Sequence, residues 1–469
     1  MRLPMAPTDS MFLLGESREH PMHVGGLILL QPPPGGDART LRTLFDAALA
    51  RDDVASLWRR RAVRSLTTFG MWAWEDDPHF DLEYHVRRDA LPQPGGNAEL
   101  RALVSRLHST LLDRSRPLWE MHLIEGLADG RYAIYTKIHH ALADGVGAMR
   151  LLHRALSADP DRTDMPAPWS PFPSPDPVHS AVGTALDLPG VTVRAVRGVI
   201  GEAVGMVPAV VGTVDRALRG RGGAMSLAAP RTMFNVSIAG GRRFAAHDWS
   251  LVRLRRVAEA ARATVNDVVL AMSAGALRAY LLEHEALPDD SLVAMVPVSL
   301  RREKTTEGGN DVGVLMCPLA THLDDSAARL LAVRDAMVDG KQSLRGRSQT
   351  ALLTVSALGM APLAVGVLTG NRAVVRPPFN VIVSNVPGPT EPLYWNGARV
   401  DALYPLSVPV DGQALNITCT STDDRIAFGL TSCSRSVPRL DRLLGHLDDE
   451  LTALERAFGV PAAGHDRSG

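Results

Sequence analysis

The 469-residue sequence contains little cysteine and carries almost no net charge. Its three cysteines, Cys317, Cys419 and Cys433, are too few and too scattered for a disulfide framework or a CxxC metal site. The 50 basic and 51 acidic side chains give a formal charge of -1. No global field therefore attracts nucleic acid, and we expect no nucleic-acid partner.

The N-terminus lacks the unbroken apolar core of a signal peptide, because prolines, an aspartate and glutamates interrupt residues 1–20. With the low cysteine content, this favours a cytoplasmic protein. Residues 191–221 read as an apolar helix flanked by arginines, which suits either a membrane surface or the protein's own core. Residues 348–371 read as two helical pieces broken near Pro362, buried or lying on a membrane surface. The expected location is cytoplasmic, with peripheral contact to the inner membrane face or lipid inclusions left open.

The chain is too long for one compact core, and a proline-rich stretch marks its division. Residues 157–180 are rich in proline and aspartate, which disfavour helix and interior strand. We predict a first lobe over 1–156, a linker with the Arg-flanked helix over 157–230, a second lobe over 231–460 and a flexible tail over 461–469.

Both halves of the chain mix predicted strands with predicted helices. Strands are indicated in HVGGLILLQP, MHLIEGL, RYAIYTKIHH, SLVAMVPVSL, FNVIVSNVPG, ALNITCTST and RIAFGLTSC, and long helices in LRTLFDAALARDD, AELRALVSRLHSTLLDRS and VNDVVLAMSAGALRAYLLEH. This order of elements predicts an α/β fold in which each lobe is a mixed sheet covered by helices.

Two adjacent histidines and an aspartate occur in TKIHHALADG, residues 136–145. Alternation along the preceding strand places Ile138 and His140 on one face and His139 on the other. Both histidines follow the end of a strand, where α/β sheets commonly present their chemistry. The position suits a catalytic group.

Three interpretations of the histidine pair compete. Adjacent histidines point to opposite faces of a strand and cannot easily share one ion, so we expect no metal. A core histidine satisfied by a neighbour is the plainest alternative, but His139, Asp144 and Gly145 around His140 favour a general base. Asp144 could orient the imidazole or pair with an arginine, and Gly145 would allow a backbone bend.

The sequence has no GxSxG elbow and no recognisable cysteine nucleophile. A base without a protein nucleophile indicates that a substrate hydroxyl or amine attacks directly.

HHALADG matches the HHxxxDG signature of the chloramphenicol acetyltransferase-like superfamily of CoA-dependent acyltransferases, which includes nonribosomal-peptide condensation domains. The chain resembles more specifically the bacterial wax ester synthase/acyl-CoA:diacylglycerol acyltransferase family. The matching stretches are SMFLLGES, PMHVGGL, RPLWEMHLIEGL, VNDVVLAMSAGALR, VPVSLR, SNVPGP, YWNGARV and ALNIT, in the family's order from about residue 6 to residue 460.

The resemblance implies a two-lobed fold with an active-site channel between the lobes and His140 near its middle. It also implies that acyl-CoA enters from one side and diacylglycerol or a fatty alcohol from the other. His140 would remove the hydroxyl proton and later return a proton to the CoA thiolate. No cofactor and no metal would be needed, with acyl-CoA as co-substrate.

Further residues receive roles from the motif matches and from their positions. His139 is expected to support the turn. Asn266 is the family-matched polar group facing the channel, with helix capping as the equal alternative, and Asp267 is expected to cap or balance charge. Arg301 is expected to pair with Asp144 across the lobes.

Two short motifs are expected to shape the site rather than react. Pro117, Leu118 and Trp119 match the family's PLW motif and are expected to line or brace the acyl pocket, although plain core is the alternative for the aromatic ring. In SNVPGP, a predicted strand end and tight turn, the architectural candidates are Asn385, Pro387 and Gly388.

Two other functions stay open. One is a lipid-inclusion or membrane-surface binding protein without turnover, and the other is a condensation-type acyltransferase with a different acceptor. The family's usual C-terminal pattern is replaced here by TSCSRSVPRL, and the linker is rich in proline. Acceptor preference is therefore left open, as are acyl chain length and oligomeric state.

Overall fold

A computed structural model describes residues 2–51, 53–64, 70–143, 145–172, 229–299, 312–344 and 377–461. Asp144, Arg301, the apolar stretches 191–221 and 348–371 and the tail after residue 461 lie outside the described residues. The predictions made for them stay predictions.

The first half of the chain forms seven strands and six helices within the described residues. The strands are β1 (Arg2–Pro4), β2 (His23–Gln31), β3 (Arg60–Arg64), β4 (Trp72–Asp76), β5 (Val86–Ala90), β6 (Trp119–Glu125) and β7 (Tyr132–His139). The helices are α1 (Pro7–Gly15), α2 (Ala38–Leu49), α3 (Ser56–Arg59), α4 (Leu82–His85), α5 (Asn97–Ser109) and α6 (Gly145–Arg154).

The second half contributes eight strands and four helices to the described part of the chain. The strands are β8 (Arg242–Ser250), β9 (Val293–Ser299), β10 (Val312–Pro318), β11 (Val381–Val386), β12 (Tyr394–Trp395), β13 (Ala398–Leu406), β14 (Leu415–Thr422) and β15 (Arg425–Cys433). The helices are α7 (Leu251–Ala260), α8 (Val265–Glu283), α9 (Ser326–Leu344) and α10 (Arg442–Ala457). Each strand and long helix predicted within the described residues is present.

Two six-stranded sheets form the centres of the two lobes. The first has the order β12-β13-β2-β7-β6-β5, and only the β5–β6 pair is parallel. The second has the order β10-β9-β11-β14-β15-β8, with β11 parallel to both of its neighbours. Both sheets are mixed, and the predicted α/β class with two helix-covered lobes is confirmed.

The boundary between the lobes differs from the predicted division, because part of the second half of the chain belongs to the first sheet. Strand β13, from the second half, pairs along β2 with Leu406 opposite Gly25, so residues 394–406 belong to the first sheet rather than to a lobe over 231–460. The predicted linker also begins inside the first lobe, because the Ala55 amide donates to the Trp169 carbonyl at 2.9 Å. Unpaired backbone groups along the edge of β2 would be costly, and the returning strand satisfies them.

Helix α8 is the core helix of the second lobe. Thr264 is its N-cap, and the Thr264 side chain and Asp267 form a reciprocal capping box. Its side chains are buried on nearly all sides against α7, α9, α10 and the second sheet. It is the one described helix that is long and apolar enough to cross a membrane, and burial in this core accounts for its apolar surface.

A buried polar network lies behind β7, between the first sheet and α5. The Lys137 ammonium is fully buried, lies 3.0 Å from Glu120 and donates to the Leu107 and Thr110 carbonyls at the end of α5. A hydrogen bond of 2.8 Å joins Nδ1 of His108 to the Tyr135 hydroxyl. Strand β7 is thus held from behind by polar contacts, which favour one register of the strand that carries the histidines.

The His108 imidazole makes the stability of this network dependent on pH. Burial, with the nearby Arg242 charge, lowers its pKa from 6.5 to about 3. The unfolded chain therefore binds a proton more readily than the folded one between these values, so stability falls as the pH drops below 6.5 and the loss ends near pH 3.

We expect His108 to remove about 3 kcal/mol of unfolding free energy between neutral pH and about pH 4.5. Denaturant melts of wild type and His108→Gln across this range measure the effect. The variant should show a shallower acid limb of the stability curve, whereas an unchanged limb would contradict the assignment.

Candidate active site

A cavity of about 330 Å³ lies between the two sheets. Strands β2 and β7 and helix α6 line it from the first lobe, and β9, β11 and β14 line it from the second. The described lining residues are mainly apolar and include no charged side chain. Its polar side chains are one imidazole and five hydroxyls, from His140, Thr136, Ser384, Ser407, Thr418 and Thr420. The cavity suits an uncharged, largely apolar ligand.

His140 lies directly after β7 with its side chain in this cavity. Thr136 and Ile138, on the same strand face, also line the cavity, so the predicted alternation is confirmed. The His140 amide donates to the Met22 carbonyl at 2.8 Å. The imidazole stacks on the Phe12 ring with a centroid distance of 4.0 Å and an interplanar angle of 18°. Backbone and ring are both held, which is what a positioned base requires.

His139 faces away from the cavity and is fully buried. The Ala141 amide donates to its Nδ1 at 3.0 Å, so Nδ1 carries no proton and the ring proton of the neutral imidazole lies on Nε2. Nε2 lies 3.3 Å from Oε1 of Glu16, whose side chain is also buried. The hydrogen bond at Nδ1 and the close contact at Nε2 hold His139 at the turn after β7, in the supporting position expected for it.

Glu16 also reaches His140 through the backbone. Its Oε1 accepts from the Met22 amide at 3.3 Å, and the Met22 carbonyl in turn accepts from the His140 amide. One buried carboxylate therefore touches both His139 and the residue that holds His140. Phe12 and Glu16 both belong to the SMFLLGES stretch that matches the family, but the match predicted no role for either residue.

Glu16→Ala should lower kcat about 100-fold with little change in KM, because a base displaced by about 1 Å loses rate rather than binding. Glu16→Gln keeps an oxygen acceptor for Met22 and should retain most of the activity. Steady-state kinetics of both variants at matched folded concentrations measure the difference. Equal activity of Glu16→Ala and wild type would exclude a positioning role.

Gly145 begins α6 and lines the cavity, but it does not act as predicted. Its backbone is outside the left-handed region, and an added Cβ would meet nothing within 4 Å among the neighbours considered. The prediction that a side chain would hinder a bend here is therefore wrong. The missing side chain instead leaves space in front of α6, where Ala148, Met149 and Leu152 continue the lining.

The ND motif lies at the start of α8. Asp267 is buried, and its Oδ2 accepts from the Thr264 amide and hydroxyl, each at 2.8 Å, which confirms the predicted capping role. Asn266 is the second residue of the helix and is half-buried. It is not the N-cap, because Thr264 holds that position, and it is not among the described residues that line the cavity.

The PLW residues brace the site rather than line it. Leu118 and Trp119 are buried in the first lobe, and Pro117 is buried with them. The Leu118 carbonyl accepts from the His139 amide at 3.0 Å. The Trp119 indole donates to the Trp58 carbonyl at 2.8 Å and is core. These residues do not appear in the described lining of the cavity.

SNVPGP combines lining and architecture. Asn385 pairs with Cys419 in register, and the residues on either side of it, Ser384 and Val386, line the cavity. After Pro387, the chain at Gly388 passes so close to β14 that an added Cβ would overlap the Ser421 carbonyl oxygen. Glycine is needed at this close approach, which supports the architectural interpretation of the turn.

The three cysteines are free thiols, are buried and do not line the cavity. Burial raises the pKa of Cys317 and of Cys419, which keeps both thiols protonated. No group of three or more His, Cys, Asp or Glu side chains within the described ranges could hold a metal ion. The described cavity thus offers one imidazole for proton transfer.

The geometry agrees with comparisons to known proteins. The wax ester synthase/diacylglycerol acyltransferase catalytic domain matches residues 5–269, and the C-terminal domain of the same family matches residues 308–455. A putative diacylglycerol O-acyltransferase of Mycobacterium tuberculosis is 52% identical over 473 aligned positions, covering 99% of this chain and 92% of that protein. A probable diacylglycerol O-acyltransferase of the same species is 48% identical, covering 97% of this chain and 99% of that protein.

Solved structures show the same fold. The wax ester synthase/diacylglycerol acyltransferase from Marinobacter aquaeolei VT8 superposes with a TM-score of 0.80 at 40% identity, covering 97% of this chain and all of that one. The first condensation domain of the CDA synthetase superposes with a TM-score of 0.55 at 17% identity, covering 99% of this chain and 97% of that one, and shares the fold alone. This chain belongs to the wax ester synthase/diacylglycerol acyltransferase family and is an acyltransferase.

Proposed function

We propose that the protein transfers a long-chain acyl group from acyl-CoA to the hydroxyl of diacylglycerol or a fatty alcohol, with His140 as general base. The observation that carries this proposal is the His140 imidazole, held by Phe12 and Met22 inside an uncharged cavity between the lobes. The names of the relatives support the same reaction class.

A single histidine can carry out both proton transfers of this reaction. His140 takes the proton of the acceptor hydroxyl while its oxygen attacks the thioester carbonyl, giving a tetrahedral intermediate and an imidazolium. When the intermediate collapses, the carbon–sulfur bond breaks and the leaving thiolate takes the proton back from the imidazolium. The products are an ester and free CoA, and we propose that no cofactor or metal takes part.

The Phe12 ring contributes electrostatically as well as sterically. The face of an aromatic ring is negative, so the stacked ring at 4.0 Å favours the imidazolium that forms when His140 accepts the proton. The contact is made only when α1 lies against the end of β7.

An acceptor panel tests the proposed function. Purified protein receives one long-chain acyl-CoA with diacylglycerol, a fatty alcohol, an amine acceptor or no acceptor, and both free CoA and the acylated product are measured. We expect equimolar CoA and ester with a hydroxyl acceptor only. Product with the amine alone would favour the condensation-type alternative, and no product with any acceptor would favour a binding protein.

We further propose that the protein works at a lipid surface. It would contact the lipid through an exposed apolar patch, here called the α1 rim, formed by Met11 and Leu14 of α1 and the nearby Met71. Met11 and Leu14 of α1 are 70% and 63% exposed, and Met71 is 61% exposed. Met71 is close to α1 because the Met5 amide, two residues before the helix, donates to the carbonyl of Trp72. An apolar helix face in contact with water suits an interface with lipid.

Positive charge adjoins this apolar rim. The guanidinium carbons of Arg64 and Arg114 lie 4.9 and 5.2 Å from the centroid of the Trp72 ring. Arginines beside exposed apolar side chains suit anionic headgroups. Helix α1 also carries Phe12, so the helix that would contact lipid is the one whose phenylalanine ring stacks on His140.

Flotation with anionic phospholipid vesicles tests the α1 rim. Met11→Asp with Leu14→Asp should reduce the vesicle-bound fraction several-fold, since two exposed apolar contacts are replaced by repelled charges. Leu282→Asp, at an exposed leucine of the second lobe, is the matched control and should bind as wild type does. Equal binding of all three proteins would place the lipid contact elsewhere.

A further inference from the structure

The tetrahedral intermediate of the proposed reaction carries a negative oxygen, which needs a hydrogen-bond donor. Losing one donor of this kind typically slows an acyl transfer by about 10²–10³-fold. Asn266, the family-matched candidate for a polar group in the channel, is not among the described residues that line the cavity. Within the described lining, the side-chain candidates for this donor are therefore the five hydroxyls.

Four of these five hydroxyls have no proton to give to a ligand. The Oγ1 atoms of Thr136 and Thr420 are buried beneath the cavity surface. Thr418 donates its proton to Oδ1 of Asn416 at 2.8 Å. A hydroxyl carries a single proton, so Ser407, whose Oγ lies 2.6 Å from Oγ1 of Thr418, is the donor in that contact. Ser407 and Thr418 therefore present lone pairs to a ligand, and lone pairs repel an oxyanion.

Ser384 of β11 is the remaining hydroxyl of the described lining. Its side chain is half-buried and makes no hydrogen bond with another described residue. Its backbone is fixed, because Ser384 is paired in register with Thr418 of β14. A donor on a rigid strand with an uncommitted proton is what stabilisation of a developing negative charge requires.

The segments that carry His140 and Ser407 leave the first sheet at the same edge. Leu406 of β13 is level with Gly25 of β2, and Gly25 is level with Lys137 of β7. Strands β13 and β7 run in the same direction, since each is antiparallel to β2. Ser407 and His140 follow the ends of these strands and are separated by two strand spacings, or about 10 Å across the sheet.

Ser384 lies opposite this edge, on the second lobe. Its register partner Thr418 contacts Ser407, and neighbouring strands of a sheet are about 4.8 Å apart. Ser384 and His140 therefore line the same end of the cavity from opposite lobes. A carbonyl held between the lobes can receive the attacking oxygen on the His140 side and direct its own oxygen to Ser384.

We propose that the Ser384 hydroxyl donates a hydrogen bond to the oxyanion of the tetrahedral intermediate. This inference rests on the proposed function and deepens it by naming a second catalytic residue. When the acceptor oxygen, deprotonated by His140, bonds to the thioester carbon, the π electrons of the carbonyl move to its oxygen, to which Ser384 donates. When the carbonyl re-forms and the carbon–sulfur bond breaks, the thiolate takes the proton of the imidazolium, and Ser384 keeps its own proton throughout.

Steady-state kinetics of Ser384→Ala test the proposal with any hydroxyl acceptor that wild type uses. The variant should lower kcat about 100-fold, while KM for acyl-CoA and KM for the acceptor stay within about threefold of wild type. The split between kcat and KM arises because the bond strengthens as charge develops on the oxygen. Ser384→Thr keeps a hydroxyl donor and should turn over faster than Ser384→Ala.

An unreactive acyl-CoA analogue, in which a methylene group replaces the thioester sulfur, separates binding from catalysis. The analogue keeps the carbonyl but cannot release CoA. Calorimetry without acceptor should give a Kd for Ser384→Ala within about threefold of wild type, since the uncharged carbonyl gains little from the donor. A residue that only shapes the cavity would weaken binding of the analogue together with the rate.

Ser250→Ala is the matched control. Ser250 is a half-buried serine on β8 of the same sheet and is not in the described cavity lining. It should keep the wild-type kcat and both wild-type KM values. A thermal melt of each variant confirms that folded proteins are compared.

Several results would overturn the proposal. They are a wild-type kcat for Ser384→Ala, a raised KM with unchanged kcat, or a loss of analogue binding as large as the loss of kcat. A slow Asn266→Ala beside a fast Ser384→Ala would assign the donor to Asn266 instead. If wild type releases no CoA with any acceptor, the proposed function itself has failed, which is a different outcome from an active enzyme that does not need Ser384.

Discussion

Replacing His140 with alanine should lower kcat by about 10²–10⁴-fold with every hydroxyl acceptor, since this is what a general base contributes. The imidazole is the one nitrogen base in the described cavity lining, and Phe12 and Met22 hold it in place. CoA release and ester formation, followed together under saturating acyl-CoA, measure the loss.

His153→Ala is the matched control for this experiment. It removes an imidazole from α6, the helix that lines the same cavity, but His153 itself is not among the described lining residues. It should retain activity. If His140→Ala turned over at the wild-type rate, the histidine would have another task and a different base would be required.

Replacing Lys137 with methionine should lower the free energy of unfolding by about 3–5 kcal/mol, because it leaves Glu120 buried without its closest cation. The Lys137 ammonium lies 3.0 Å from the Glu120 carboxylate, and the two residues are paired in register across β6 and β7. Burial opposes ionisation of Glu120, yet the hydrogen bond from His122 and the Lys137 charge lower its pKa to about 2. The carboxylate is therefore charged at neutral pH, and removing the lysine takes away one of the contributions that keep it so.

Denaturant unfolding of Lys137→Met and of the double variant Lys137→Met, Glu120→Gln measures this effect. The double variant removes the stranded charge and should recover part of the loss. Equal stability of Lys137→Met and wild type would show that Arg87 and His122 alone neutralise Glu120, since both also contact it.

The division of roles between the two histidines could be predicted from residues alone. A strand has a period of two, so His139 and His140 had to face opposite sides, and the short turn after them had to end the strand. The Asp267 cap was equally predictable, because capping depends on residues three apart. Both predictions use neighbours along the chain and needed no knowledge of the distant fold.

Errors and omissions arose where distant segments meet. Gly145 suggested a strained bend, but its backbone is ordinary and its surroundings are open. Pro117, Leu118 and Trp119 were expected to line or brace the acyl pocket, and the sequence could not decide between the two; in the structure they lie in the core behind the cavity. A motif shows that a residue type is needed at a position, whereas the packing around that position decides the reason.

By itself, the sequence determined the fold class and the family and predicted the base, because strand period, helix capping and the HHALADG motif are local patterns. Only the tertiary structure decided that Glu16 contacts both His139 and Met22, that β13 crosses into the first sheet and that strands of both sheets line one cavity. These contacts join segments far apart in the chain. Their energies depend on which buried polar groups find partners after folding, and local pattern carries no record of that.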